Sequence, residues 1–193
     1  MIGAKLNFKK LSDSSLYFIA IIPPDPLSAK LIELKNQVAS GYGSKASLRS
    51  PPHITLHMPF GWPHKKFERL ATTLTSFFYR SKPYILKLSG FGSFAPKVIF
   101  VKVEPDPRLS TMQSDLCRLM AEKLSIYNAN YRNKPFHPHI TIAFRDLKKS
   151  SFFEAWEYYS SQLFQEELCV NQVTLLKHNG RFWEQVLHFQ VGI

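Results

Sequence analysis

One succession of parts occurs twice along this 193-residue chain. An apolar, β-rich run ends in Pro-Asp-Pro. A helical stretch follows, then a proline-rich loop, then His-Ile-Thr in a strand-like setting, then a second helical stretch. In the first pass the run covers residues 16–22 and breaks at Pro24-Asp25-Pro26. Leu27, Leu31, Leu34 and Val38 then share one helical face to about Ala39, with Asp25 or Ser28 as the expected cap. Ser40-Gly41-Tyr42-Gly43 ends that helix, residues 47–52 form a loop, residues 53–58 a strand, and Pro63 opens a helix over 65–79. In the second pass residues 98–103 form the run and Pro105-Asp106-Pro107 the break. Leu109, Met112, Leu116, Leu119 and Met120 mark a helix to about Ser125. A loop with Asn128, Asn130 and Asn133 leads to Pro135, and residues 139–144 form the strand. Ser150 or Ser151 is expected to cap a helix to about Phe164. After the second helical stretch of the first pass, residues 84–88 alternate like a strand. Residues 168–176 and 182–191 predict a hairpin around Asn179-Gly180.

A duplicated βαβα unit cannot bury its apolar faces alone, and two copies bury them against each other. The expectation is an α+β, bilobal chain with approximate two-fold symmetry and a central cleft. Residues 1–193 would form a single bilobal domain, with pseudo-repeats of about 14–90 and 96–193. The chain is long enough to bury a core without staples. Its two cysteines, Cys117 and Cys169, show no C-x-x-C spacing and read as buried, reduced thiols of a cytoplasmic protein. The apolar run after Lys9-Lys10 is short and ends at Pro23-Pro24, so it reads as a buried strand rather than a leader peptide. No stretch is long enough for a membrane span.

Side chains alternate along a strand. His53 and Thr55 therefore share one face, and so do His139 and Thr141, while Ile54, Leu56, Ile140 and Ile142 point into the core. A histidine titrates near neutrality and can give or take a proton. Two of them facing each other across a cleft can do both in one step. Each threonine hydroxyl can donate to a phosphate oxygen. In-line displacement at phosphorus needs groups on opposite sides of the atom, and a symmetric His/Thr pair supplies them. A single H-x-T would mean little. Two copies at matching places of a duplication point to one active site, with His53 and His139 as acid/base catalysts and Thr55 and Thr141 as phosphate donors.

On these residues, His53-Ile-Thr-Leu56 and His139-Ile-Thr-Ile142, the chain resembles the 2H phosphoesterase superfamily, and within it the 2'-5' RNA ligase/cyclic phosphodiesterase branch. The resemblance covers nearly the whole chain in order of elements. It implies a bilobal fold with both motifs in the cleft and chemistry without metal, ATP or other cofactor. The partner it implies is a nucleotide or RNA end with a (cyclic) phosphate, opened to a 2'-phosphate. Relatives also act on ADP-ribose cyclic phosphate or 2'-5' oligonucleotides. Several members carry an arginine five residues after the second histidine. Phe144 stands there in this chain, and Arg145 follows. In an unbroken strand Arg145 shares a face with His139 and Thr141 and suits a phosphate contact. Arg49, before the first motif, is a second candidate. Phe60, Trp62, Phe94 and Phe136 are candidates for stacking on a base, against core packing as the plainer role.

The net charge of +11 favours an acidic partner or simply a solvated basic surface. His53 with His57, and His137 with His139, share faces in a pattern that would also suit a zinc or iron site. The lack of a carboxylate at either motif and the idle threonines weigh against it, and His57 and His137 read as rim residues. A nucleotide- or RNA-binding module without turnover would be expected to have lost part of a motif, and both are whole. RNA 2'-5' end-joining is the reverse of ester opening on the same groups. No protein partner is required by any feature of the sequence.

Overall fold

The computed structural model describes residues 13–127 and 135–192. Lys9-Lys10 and the asparagines of the 128–133 loop lie outside them. The described chain runs β1 (Ser14–Ile21), α1 (Leu27–Tyr42), a 3-10 turn (Ala46–Arg49), β2 (Ile54–Pro63), a 3-10 turn (His64–Lys66), α2 (Phe67–Tyr79), β3 (Tyr84–Phe94), β4 (Val98–Val103), α3 (Pro107–Leu124), β5 (His139–Ala143), α4 (Lys149–Ser160), β6 (Gln165–Val170), β7 (Gln172–His178) and β8 (Trp183–Gln190).

All eight strands join one antiparallel sheet in the order β6-β3-β4-β5-β2-β1-β7-β8. Read from its centre outwards, this order is symmetric: β5 answers β2, β4 answers β1, β3 answers β7 and β6 answers β8. Each half of the sheet takes strands from both passes of the sequence. The β3 strand, which ends the first pass, lies beside β4, and β7 of the second lies beside β1. Residues 168–176, read from sequence as one strand, are two. Asn171 alone separates β6 at one edge from β7 near the other. Two Cα steps span only about 7 Å, so the sheet must curl until its far regions almost meet.

The helices form on the apolar stripes expected of them and bury those stripes against one face of the sheet. Leu31 and Val38 of α1, Leu70 and Leu74 of α2, Leu116 and Met120 of α3 and Phe152 and Ala155 of α4 join Tyr17, Ile19, Ile54, Leu56, Val101, Ile140 and Ile142 in one buried cluster. Burying each such large aliphatic side chain contributes roughly 1.5–3 kcal/mol. The helices cross over: α1 packs against β5, and α3 against β2. Each histidine strand is thus backed by the other pass's helix.

Capping differs from expectation. Asp106 caps α3, accepting from the amides of Arg108 at 2.7 Å and Leu109 at 3.4 Å. Neither Asp25 nor Ser28 caps α1, which starts after Pro26 with no side-chain cap bond. Neither Ser150 nor Ser151 caps α4, which starts at Lys149, after Lys148. The first helix runs to Tyr42 and ends on Gly43 at φ +73°, a conformation that glycine adopts without strain. The Asn179-Gly180 hairpin is present between β7 and β8. Asn179 Oδ1 accepts from the amides of Arg181 and Phe182, and Gly180 has φ +102°. No disulfide joins Cys117 and Cys169, and Cys169 is exposed rather than buried. No described helix is long and apolar enough to cross a membrane.

Candidate active site

The site grows from the centre of the sheet. There β2 meets β5 at Ile54↔Ile140, and both side chains are fully buried against the helices. In an antiparallel register the next residues on each side fall opposite one another and point to the other face. His53 therefore comes against Thr141, and Thr55 against His139. These four side chains share the sheet face that the helices leave open, and all are half-buried. His53 stands one residue before the first of β2, His139 is the first of β5. The imidazoles are close enough for the charge of one to bear on the other.

Both rings are held alike. His53 Nδ1 lies 2.7 Å from Pro51 O, and His139 Nδ1 lies 2.7 Å from His137 O. A carbonyl only accepts, so each Nδ1 carries the proton and each Nε2 is left with its lone pair. Behind His53 stands Phe18 of β1, ring centroids 4.9 Å apart, and Trp183 of β8 meets Phe18 edge-on at 4.6 Å. Behind His139 stands Phe100 of β4 at 4.8 Å, and Phe94 of β3 meets Phe100 at 4.7 Å. Gly92 leaves room for Phe100, whose ring a Cβ there would strike.

Burial is the first cause of both histidines' low proton affinity. It holds His53 down to about 4, against the opposing bond to Pro51 and with the charges of Lys35 and His139 adding to it. His139 is also lowered by burial, against its bond to His137 O and with the His137 ring adding. Both imidazoles are thus neutral at rest near pH 7, and a bound phosphate anion would favour protonation of one.

The loop that carries His53 is sewn to β5. Asp146, just beyond that strand, accepts from Ser44 Oγ at 2.8 Å and from the amides of Lys45 and Ala46 at 2.8 and 2.9 Å. Burial pushes its carboxyl up, but these donors outweigh it and the net shift is downward. Ser47 Oγ donates to Ile142 O at 2.8 Å. The two arms are thereby fixed relative to each other without a direct bond between the rings.

Other expected residues fall elsewhere. Phe60 and Trp62 are in the core, 7% and 6% exposed, because β2 continues through Pro59 to Pro63 and, past the register shifts against β1 around Leu56 and His57, turns both rings to the same side as Ile54. Phe94 is 43% exposed and lies edge-on to His139, while Phe136 is half-buried against the core. Arg145 does not share the face of His139 and Thr141. The strand ends at Ala143, Asp146 N bonds back to Phe144 O, and Arg145 takes φ +63° with its guanidinium over the Phe144 ring. Arg49 is exposed and borders a hollow of about 230 Å³ with Lys35, Pro51, Phe182 and Trp183, beside the His53 arm. His57 is a core residue rather than a rim one, 1% exposed, with Nδ1 on Met58 O and Nε2 unpartnered. His137 is exposed and serves His139 through its carbonyl. Among the described residues, no three or more His, Cys, Asp or Glu side chains group as a metal site. A cavity of about 980 Å³ between α2 and α3, bordered by Arg69, Arg80, Lys82 and Lys123, contains neither motif histidine.

Sequence reading missed Lys35, Phe18, Phe100 and Trp183. Lys35 had a visible signal, a lysine in line with Leu27, Leu31 and Val38. The two phenylalanines sit in runs that are apolar on both faces, where alternation says nothing about which face is the site.

A curled antiparallel sheet presenting two His/Thr strand pairs across its middle defines a two-histidine phosphoesterase. The comparisons agree. The family described as the 2'-5' RNA ligase superfamily matches residues 23–181. A "putative phosphoesterase" of Geobacillus kaustophilus (strain HTA426) is 30% identical over 183 residues, covering 91% of this chain and 96% of the relative. One of Geobacillus sp. (strain WCH70) is 30% identical over 181 residues, with the same coverage. The fold is that of the solved TT0787 of Thermus thermophilus, at TM-score 0.67, 24% identity and coverage of 91% and 97%. It is also that of E. coli LigT complexed with 3'-AMP, at TM-score 0.69, 20% identity and coverage of 93% and 99%. This chain belongs to the 2'-5' RNA ligase (2H phosphoesterase) superfamily.

Proposed function

We propose that this protein is a cytoplasmic, metal-independent phosphodiesterase that opens 2',3'-cyclic phosphates of nucleotides or RNA ends to 2'-phosphates. His53 and His139 act as the acid/base pair, and Thr55 and Thr141 hold the phosphate. The observation that carries this reading is the matched pair of Nδ1–carbonyl bonds, which present two Nε2 atoms, each ready for proton transfer, on one open sheet face. The LigT structure with 3'-AMP supports a nucleotide ligand on this fold. The family's description supports the reverse reaction, 2'-5' end-joining, as a second reading on the same groups. A catalyst speeds both directions, and the balance of substrates decides which is seen.

The test is release of 2'-AMP from 2',3'-cyclic AMP in the presence of EDTA. His53→Ala and His139→Ala should each lower kcat about 10²–10⁴-fold with the melting temperature little changed. Because burial lowers both rings, kcat/KM should follow a bell lying on the acid side of neutrality. Full activity in either alanine variant, or a rate climbing steadily to above about pH 9 as hydroxide attack would give, would sink the assignment.

A further inference from the structure

The buried stripe of α1 runs Leu27, Leu31, Lys35, Val38. Lys35 is 2% exposed, the only Lys, Arg, Asp or Glu among the described buried residues. No carboxylate answers it in the described ion pairs. Its ammonium donates to Ser47 O and Ser50 O, both at 3.0 Å. Removing a charge from water costs several kcal/mol, and two backbone carbonyls offset that only in part. Methionine would fill the same space without that cost. Lysine here is therefore poorly explained by stability alone.

Its position offers an explanation. Ser47 and Ser50 belong to the turn that feeds Pro51, and Pro51 O takes the Nδ1–H of His53. Lys35 thus grips the turn one residue before the carbonyl that aims the ring. Its charge also reaches that ring and opposes a second proton on it. Among the described residues the other arm has no buried cation; Lys102 of β4, which pairs with His139, is exposed, so solvent screens its charge. The α3 stripe is Leu109, Met112, Gln113, Leu116, Met120 and Leu124, without a cation. Among the described residues, the charged or titratable groups around His53 are Lys35 from α1, His139 from β5 and Arg49, which borders the same hollow as Lys35 and Pro51; the ring against it from β1 is the uncharged Phe18.

We propose that Lys35 is a positioning residue for His53, and that its presence in one arm only makes His53 the base and His139 the acid. The role assignment rests on the phosphodiesterase reading. In cyclic ester opening, water oxygen bonds to phosphorus as His53 Nε2 takes its proton. The P–O3' bond breaks, and O3' takes the proton from His139 Nε2. The products are a 2'-phosphate, a free 3'-hydroxyl, protonated His53 and neutral His139. The Lys35 ammonium, itself lowered by burial to about 7, carries its charge through the acid range in which His53 titrates; there it keeps the His53 lone pair free before the step, and the phosphate's negative charge favours the protonated form of His139.

The test is a titration of the histidine ring C–H resonances by NMR beside pH profiles of 2',3'-cyclic AMP opening, for wild type, Lys35→Met, Lys35→Gln and Lys35→Arg. Loss of the charge in Lys35→Met should raise the His53 midpoint by about one pH unit and leave that of His139 in place. The acid limb of kcat/KM should move up with it while the alkaline limb stays. Lys35→Arg should restore the wild-type positions. Lys35→Gln serves if the methionine variant does not fold. An unmoved His53 midpoint, an activity loss equal at every pH, movement of the alkaline limb instead, or unfolding of both neutral variants overturns the proposal. A shifted midpoint in a protein that never opens the cyclic ester would keep the Lys35–His53 link and defeat the phosphodiesterase reading. Turnover with an unmoved midpoint would do the reverse.

Discussion

In one arm of the site the imidazole of His53 leans on Phe18, which leans on Trp183; in the other, His139 leans on Phe100, which leans on Phe94. Both rings give Nδ1–H to the carbonyl two residues back. The arms part company behind these contacts. A buried lysine supports the turn of the first, whereas an exposed histidine supplies the carbonyl of the second. The first strand runs ten residues and the second five. What the two halves share is the aim of the acid/base atom, and what differs is its electrical setting. A reaction that needs one imidazole neutral and one charged requires both features: like geometry for in-line attack, unlike surroundings for unlike protonation.

The largest effect short of the histidines is expected at the threonines. Thr55→Val and Thr141→Val keep the shape and remove the hydroxyl. If each donates to charge developing on phosphorus, each variant should lose about 10²–10³-fold in kcat. Their register makes them equivalent, Thr55 across from His139 and Thr141 across from His53, so the two losses should match in size. Steady-state kinetics on 2',3'-cyclic AMP checks this. A loss confined to KM in one variant would mean that this hydroxyl only binds substrate, and the symmetry would fail at the phosphate itself.

A smaller effect is expected where the arms are tied together. Asp146→Ala frees Ser44 Oγ and the amides of Lys45 and Ala46. Asp146 is exposed, so water replaces much of what is lost, and the cost should be about 1–2 kcal/mol. Urea unfolding measures it. Activity should fall beyond what that stability loss explains, because the turn before His53 loses its tie to β5. Unchanged kcat at full folding would show that Lys35 and Ser47 hold the turn without Asp146.

Much of this arrangement is legible from residues alone. The repeat, the facing of His53 with Thr55 and His139 with Thr141, and the core role of Ile54 and Ile140 follow from alternation along strands. The misplaced residues share a physical reason: their positions depend on where a strand stops. Arg145 reaches the site face only on an unbroken strand, and the strand ends two residues earlier, in a turn that puts it at positive φ. Phe60 would meet a ligand only beyond the end of its strand, which in fact continues and carries the ring into the core. Lys35 escapes notice because a helical stripe is read by its apolar members, and Leu34 fits the stripe well enough to hide the lysine beside it. The exchange of β3 and β7 between halves leaves no trace in periodicity, since pairing partners are set by the whole sheet.

The smallest expected effect bears on the electrical difference between the arms. His53 is depressed to about 4, below the ordinary histidine value that it regains on unfolding. The folded state therefore binds fewer protons than the unfolded one between those values. The stability this gives is fully present above about pH 6.5 and is lost as pH falls toward 4. His53→Gln removes the group, so its stability should decline less on going from pH 7 to 5 than that of wild type, by roughly 1–2 kcal/mol. His139→Gln should show the same sign, since burial lowers that ring too. Lys35 adds to the depression in the first arm only, so the effect at His53 should be the greater. Urea titrations at pH 5 and 7 for the three proteins decide the order. A larger effect at His139 would mean that its burial, with His137 beside it, outweighs the lysine behind His53, and the arms would have to exchange their roles.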